Sequence, residues 1–320
     1  MKQINYGILS TASIVPRFIQ GLRLTNNGNI KAIASRDIAK SEAFAQKWNI
    51  EKAYGCYEDL LYDPDIDAVY IPLINSLHYE YAKKSLLKNK HVILEKPFVL
   101  HPEEANELAE LAKERHLFLT EAVKTPYLPI YQNIKQIVDQ KFYGNIQYMD
   151  FRQSYTGGSY ITGWNTMKEY GGGVLIANEA YFFTMAEFLG GKVLSCSGSA
   201  TFGKNGTEDQ CCVTAHLEND ILAQMNVSTR ILFNNGLTIY FDHAKIEIPD
   251  FWKANTAYIY QDNQCIETLS FPCEYELQYE LQYYNDCIQK GQIFSPVTPV
   301  ENTIRYIRFC NEIQKSWENN

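Results

Sequence analysis

The sequence predicts an α/β protein: a doubly wound parallel sheet over residues 1–121, then an α+β domain with a mostly antiparallel sheet over 122–320. Three observations carry this. Apolar strand-like runs and amphipathic helix-like stretches alternate strictly up to Glu121, and alternation of this kind means parallel strands with right-handed crossovers. After Glu121 the text changes to short strand runs separated by turn residues. Finally, 320 residues exceed what one hydrophobic core usually serves.

In the first half, Ile4–Leu9, Ile30–Ala34, Ala68–Leu73, His91–Leu94 and Leu117–Thr120 read as strands, nearly continuous in apolar residues as suits a sheet covered on both faces. Pro16–Leu24, Ile38–Trp48, Ser76–Lys88 and Pro102–Arg115 have helical spacing, with Pro16 and Pro102 suited to a first turn. In the second half, Tyr131–Gln140 reads as a helix and Ile146–Tyr155 as a strand. The triplet Gly171-Gly172-Gly173 precedes an apolar helix through Leu189. Val193–Thr201, Cys211–Leu217, Ile221–Val227, Leu237–Phe241, Ala244–Ile248 and Ala257–Tyr260 follow as strands, and Glu274–Gln289 and Thr298–Trp317 close the chain as helices. There is no internal repeat.

Composition narrows the function classes. With 46% hydrophobic and 21% charged residues, long disorder is excluded. A balance of 29 basic against 37 acidic residues, net −8, argues against nucleic acid or an anionic membrane as a partner. Apolar stretches such as Ala68–Ile74 fall far short of the roughly 20 residues of a membrane helix. Met1–Ser10 holds one Lys and reads as a strand rather than a secretory leader. Eight Cys form no C-x-x-C and no Cys/His ligand cluster, and His91, His101, His116, His216 and His243 have no partner at metal-ligand spacing. Free thiols in a reducing cytoplasm, and no metal, are the expectation.

The first strand runs into Gly7-Ile-Leu-Ser10-Thr11-Ala12-Ser13-Ile14-Val15 and then a helix. A dinucleotide site needs a tight turn, a close backbone approach to pyrophosphate and a helix N-terminus whose N–H groups meet the anion. The usual G-x-G-x-x-G falls on Ser10, Ala12 and Val15, so its glycines are replaced, although the small Ser10 and Ala12 still permit the approach. The second strand ends in Ala34-Ser35-Arg36-Asp37. An NAD site usually carries Asp or Glu at this tip; a hydroxyl and a guanidinium instead suit a 2′-phosphate, against the plainer reading of a solvated Arg36 with Asp37 capping the next helix. Leu73-Ile74-Asn75-Ser76-Leu77-His78 and Glu95-Lys96-Pro97 fall at the carboxyl ends of parallel strands, where ligands of such sheets bind. There the Lys96 ammonium can polarise a carbonyl, its direction set by Pro97.

Together these segments resemble the Gfo/Idh/MocA family of nicotinamide-dependent oxidoreductases, of the dihydrodiol and sugar dehydrogenase kind. The likeness runs through Gly7–Ala12, Ala34–Asp37, Ala53–Gly55, Asp63–Ile71, Asn75–His78 and Glu95–Pro97, and extends to Glu121-Ala122 and Gly171–Gly173. The resemblance implies a Rossmann domain, a second domain whose large open sheet serves oligomer contacts, and hydride transfer between NAD(P) and a carbonyl or secondary alcohol of a sugar, cyclitol or related polyol. It makes Lys96 the active-site lysine and places Asn75 and His78 beside the nicotinamide ribose.

The second half departs from the family pattern. Where an Asp usually stands four residues before a His or Tyr on one helix face, this chain has Ala177 and Tyr181. Tyr181 keeps the acid/base position, with Lys96 as the ammonium expected to assist it, or else it is a packed aromatic in Tyr181-Phe182-Phe183. Asn178 or Glu179 could replace the lost carboxylate. Lys124-Thr125-Pro126-Tyr127 stands where many members carry an aromatic residue and an Arg. Glu121, Tyr155, Trp164 and Asn178 are substrate-side candidates, with Tyr160 in the same loop. Tyr275, Tyr279, Tyr283 and Tyr284 suggest a packing or oligomer face. The expectation is a cytoplasmic, homodimeric or homotetrameric oxidoreductase that favours NADP(H) and also admits NAD(H). It holds the cofactor along Ser10–Ile14, Ser35, Arg36, Leu73, Asn75, His78 and Glu95–Pro97. Two alternatives stay open: a catalytically silent nucleotide- or sugar-binding regulator, suggested by Ala177, and an NAD-dependent glycosidase.

Overall fold

A computed structural model describes residues 3–155 and 163–318. The chain divides into two compact units, Met1–Ala122 with Tyr275–Ile304, and Val123–Glu274 with Arg305–Asn320.

In the first unit, β1 (Ile4–Leu9), β2 (Gly28–Ala34), β3 (Lys52–Tyr54), β4 (Ala68–Ile71), β5 (His91–Glu95) and β6 (Leu119–Ala122) form one parallel sheet of order β3-β2-β1-β4-β5-β6. Between them run α1 (Val15–Arg23), α2 (Ile38–Trp48), α3 (Tyr57–Tyr62), α4 (His78–Leu87) and α5 (Pro102–Arg115). Strand order reverses at β1/β4, the point where doubly wound sheets open a crevice. The strand centres are fully enclosed: Tyr6, Ile8, Val69, Val92 and Ile93 have no exposed surface. Phe18 of α1 stacks on Tyr70 of β4 with ring centroids 3.8 Å apart. β3 and α3 were not separately expected, because three half-buried residues at a sheet edge carry no periodic signal. The strand expected at Leu117–Thr120 starts two residues later.

The acidic turn before β4 is a structural knot. Asp63 accepts from the Lys52 ammonium (2.8 Å) and the Tyr54 hydroxyl (2.8 Å), and these hold its carboxyl below the usual carboxylate range against the opposing effect of burial. Beneath it the buried Lys90 ammonium donates to the carbonyls of Asp63 (2.7 Å) and Ile66 (2.8 Å). A late helix, Leu277–Gln289 (α8 in chain order), completes this unit. It lies so close to α1 that a Cβ on Gly21 would stand 3.0 Å from the Gln278 backbone nitrogen. The buried Tyr6 hydroxyl donates to Asn285 Oδ1 at 2.7 Å, and Asn285 Nδ2 donates to Thr25 at 3.2 Å. Of the four α8-region tyrosines, Tyr284 is fully buried and Tyr275, Tyr279 and Tyr283 are half-buried.

The second unit is built on an eight-stranded sheet of order β14-β13-β12-β11-β7-β10-β9-β8. Its strands are β7 (Ile146–Ser154), β8 (Val193–Phe202), β9 (Glu208–Leu217), β10 (Leu222–Ser228), β11 (Gly236–Phe241), β12 (Lys245–Pro249), β13 (Thr256–Gln261) and β14 (Gln264–Ser270). Neighbours are antiparallel except the parallel pair β7/β10. β14 escaped the sequence reading because every residue but Leu269 is exposed, which erases the alternation. Helices α6 (Pro129–Asp139) and α7 (Val174–Gly190) belong to this unit, together with the stretch of α9 (Val300–Glu318) from Arg305 onward. Among the described residues no helix is long and apolar enough to cross a membrane, and no cluster of His, Cys, Asp or Glu is arranged to hold a metal. The eight thiols form no disulfide.

The α8 contact yields a stability test. Asn285→Ala should cost about 1–3 kcal/mol, because it strands the Tyr6 hydroxyl in the core. Tyr6→Phe added to that variant should recover part of the loss, as read from urea unfolding.

Candidate active site

The first unit gathers most of the expected cofactor residues at the carboxyl ends of its strands. After β1, Ser10 adopts φ 145°, a conformation that favours glycine, and its Oγ accepts the Ala12 N–H at 2.9 Å. The serine thus holds the tight turn whose usual glycine is missing. Thr11, Ala12 and Ile14 are half-buried and Ser13 is exposed, and no side chain caps the start of α1. An uncapped helix N-terminus beside a partly open turn fits an anionic pyrophosphate.

At the tip of β2 the two expected phosphate ligands part company. The Ser35 hydroxyl is buried, donates to the Asp37 carbonyl (2.7 Å) and accepts from Ser41 (2.8 Å) and from the Asp37 N–H (3.3 Å). With its proton already committed, Ser35 shapes the turn. Arg36 is exposed, and Asp37 caps α2 through Ala39 N–H at 3.0 Å.

Two buried groups, His78 and Glu121, and the half-buried Glu95 build the turn that carries Lys96. The His78 imidazole has no exposed surface; Nδ1 lies 2.7 Å from the Pro97 carbonyl and Nε2 lies 3.1 Å from the Leu73 carbonyl. Burial pushes its pKa down, so the ring is held neutral. His78 was expected beside a ribose; it stands at the start of α4 with its ring against the Pro97 carbonyl, which links the segment leaving β4 to the turn after β5. Glu121, expected on the substrate side, is also buried, and its Oε1 accepts the Phe98 N–H at 2.7 Å. Glu95 accepts from the Tyr70 hydroxyl (2.6 Å) and from the Lys96 N–H (3.2 Å). Between these ties, Lys96 is half-buried, Lys96-Pro97 is cis, Asn75 is buried and Leu73 half-buried.

In the second unit the site residues cluster on α7 and its supports. A Cβ on Gly172 would stand 2.3 Å from the Asn165 carbonyl oxygen; one on Gly173, at φ 127°, would stand 2.4 Å from Glu208 Oε1. The glycines therefore let the loop and the Glu208 carboxylate close onto the start of α7, where Glu208 accepts the Leu175 N–H at 3.1 Å. Burial pushes the Glu208 carboxyl up to about 7. Tyr155 and Asn178 meet, the hydroxyl donating to Oδ1 at 2.8 Å, while Asn178 Nδ2 donates to the Val174 carbonyl at 2.7 Å. Trp164 is 39% exposed on a short helical turn, and Tyr160 lies outside the described residues. Tyr181 packs edge-on to Phe251 and is buried, and its oxygen accepts from the Lys124 ammonium at 3.1 Å. Ala177, one turn earlier, is half-buried between buried neighbours. The ammonium seen at Tyr181 is thus that of Lys124, noted in the sequence only as a departure; no local pattern announces a pair 57 positions apart. Glu208 gave no signal either, since its burial follows from a fold contact with Gly173.

A doubly wound sheet with an open turn after β1 and chemistry collected at the strand ends defines a dinucleotide-binding protein of the Rossmann class. Residues 4–123 match the profile of the oxidoreductase family Gfo/Idh/MocA, described as an NAD-binding Rossmann fold, and residues 131–247 match the C-terminal domain of that family. The chain belongs to the Gfo/Idh/MocA oxidoreductase family. It is 28% identical to trans-1,2-dihydrobenzene-1,2-diol dehydrogenase of Xenopus laevis, over 91% of this chain and 91% of that protein. With the Homo sapiens protein of the same name it shares 24% over 98% and 96%. Among solved structures it is similar to KijD10, a 3-ketoreductase from Actinomadura kijaniata in complex with NADP and TDP-benzene. The TM-score is 0.86 at 19% identity, covering 98% of both chains.

Glu208 makes the second unit sensitive to pH. Its folded pKa lies above the usual 4.5, so the folded state binds this proton more tightly. The stability it contributes is present below about pH 4.5 and is lost as pH rises through about 7. Between pH 5 and 8 the parent should lose up to about 3 kcal/mol relative to Glu208→Gln, as read from paired urea titrations.

Proposed function

We propose that this protein is an NADP(H)-preferring oxidoreductase that interconverts a carbonyl and a secondary alcohol on a sugar, cyclitol or related polyol. The observation that carries the reading is the Lys96 turn: a half-buried ammonium presented at the end of β5 by His78, Glu95 and Glu121, none of which a mere surface lysine needs. The uncapped start of α1 and the Ser10–Ile14 turn would hold the pyrophosphate, and Arg36 would meet the adenosine 2′-phosphate. When bound, the nicotinamide supplies or accepts the hydride. Lys96 stabilises charge on the reacting oxygen and Tyr181 exchanges its proton. The names of the relatives, a diol dehydrogenase and a 3-ketoreductase complexed with NADP, support this substrate chemistry and cofactor. The protein works as a cytoplasmic homodimer or homotetramer.

Two measurements test the reading. Arg36→Ala should weaken NADPH binding about ten- to hundredfold and leave NADH nearly unchanged; equal loss for both would remove Arg36 from the phosphate site. Lys96→Met should keep the fold and most of the cofactor affinity while lowering turnover on a sugar and polyol panel by ~10²–10⁴. Parent protein that binds NADPH yet turns over nothing on that panel would support the silent regulator that Ala177 suggests.

A further inference from the structure

We propose that Lys124 is a positioning residue for Tyr181: its ammonium fixes the phenol oxygen and stabilises the negative charge that the oxygen carries once its proton has left. The inference rests on Tyr181 as the acid/base of the reaction proposed above. Lys124 is 5% exposed, and enclosing an ammonium is unfavourable unless strong acceptors meet it. Its Nζ lies 3.1 Å from the Tyr181 oxygen but 5.1 Å from the ring centroid, so it addresses the oxygen rather than the face of the ring. Because the ammonium donates, the phenol oxygen is the acceptor, and the phenol's own proton points away from Lys124.

The two departures from the family text then explain each other. A carboxylate at position 177 would sit one helical turn from Tyr181, within about 6 Å between Cβ atoms, and would compete with the phenol for this ammonium. Ala177 offers no such competitor. Among the described residues of this unit, Tyr155, Glu208 and Glu179 also lie on or against α7. Tyr155, from the end of β7, donates to Asn178; Glu208, from β9, accepts the Leu175 N–H; Glu179, two residues before Tyr181 on α7, is turned roughly 160° away round the helix.

The test compares the intact protein with Lys124→Met, Lys124→Arg and Tyr181→Phe in two readouts. The first needs no substrate: the ultraviolet tyrosinate titration, with the Tyr181→Phe curve subtracted to isolate this one phenol. In the parent, Tyr181 should ionise below the bulk of the tyrosines. Lys124→Met should move that ionisation up by about one to three pH units, and Lys124→Arg should restore most of it. The second readout is the pH profile of kcat on any carbonyl or polyol the parent turns over. Its limb should move by the same amount in Lys124→Met, with KM for the cofactor unchanged. A Tyr181 ionisation that is the same in parent and Lys124→Met, or that lies among the bulk tyrosines in the parent, overturns the proposal even if catalysis is normal. A shifted ionisation in a protein that turns over no substrate overturns the proposed function and leaves the Lys124–Tyr181 pair standing.

Discussion

One buried imidazole holds together the end of the first sheet. His78 stands between the carbonyls of Leu73 and Pro97 with no surface exposed, and a neutral ring has one proton for two acceptors. The shorter contact assigns that proton to Nδ1, toward Pro97. The segment leaving β4 is thereby tied to the segment leaving β5. Glu121 adds β6 through the Phe98 N–H, and the Tyr284 hydroxyl, donating to the Glu121 carbonyl at 3.0 Å, adds α8. The Lys96 turn is thus suspended from four elements by backbone-directed bonds, a firmer mounting than loop packing gives a catalytic side chain.

The second unit solves a different problem. α7 is buried on nearly every side, so burial of apolar surface does not specify its rotation about its own axis. Polar ties do. Glu208 holds its first turn, Tyr155 holds Asn178, Lys124 holds Tyr181, and Arg305 donates from two nitrogens to Glu187 near its far end. Each of these enclosed polar groups is unfavourable without its partner; together the ties decide which residues of a mostly apolar helix face which neighbour.

Most strands and helices were legible because they are apolar runs or periodic stretches of ordinary length. β3 was too short and β14 too exposed to show. The site was legible in its residues more than in their roles. Asp63 to Asp67, so characteristic in the text, serves a turn knotted by Lys52, Tyr54 and Lys90. His78 and Glu121 meet backbone at Pro97 and Phe98, contacts distant in sequence that no local pattern announces, whereas Ser35 turns onto its near neighbours Asp37 and Ser41. Ser10 shows the converse: the glycine was missing from the fingerprint, yet its backbone conformation persists on a residue for which it is strained.

The first unit is interrupted in sequence. Its sheet strands are all made by Ala122, but Asn285, which receives the Tyr6 hydroxyl, follows the whole Val123–Glu274 segment. At about 5–20 residues per second of synthesis, that segment takes roughly ten to thirty seconds to emerge from the ribosome. During that interval α1 lacks the helix that packs against it, and a buried hydroxyl lacks its acceptor. The nascent chain therefore waits with an unfinished nucleotide-binding unit until α8 emerges, and the second unit is completed later still, by the stretch of α9 from Arg305 onward.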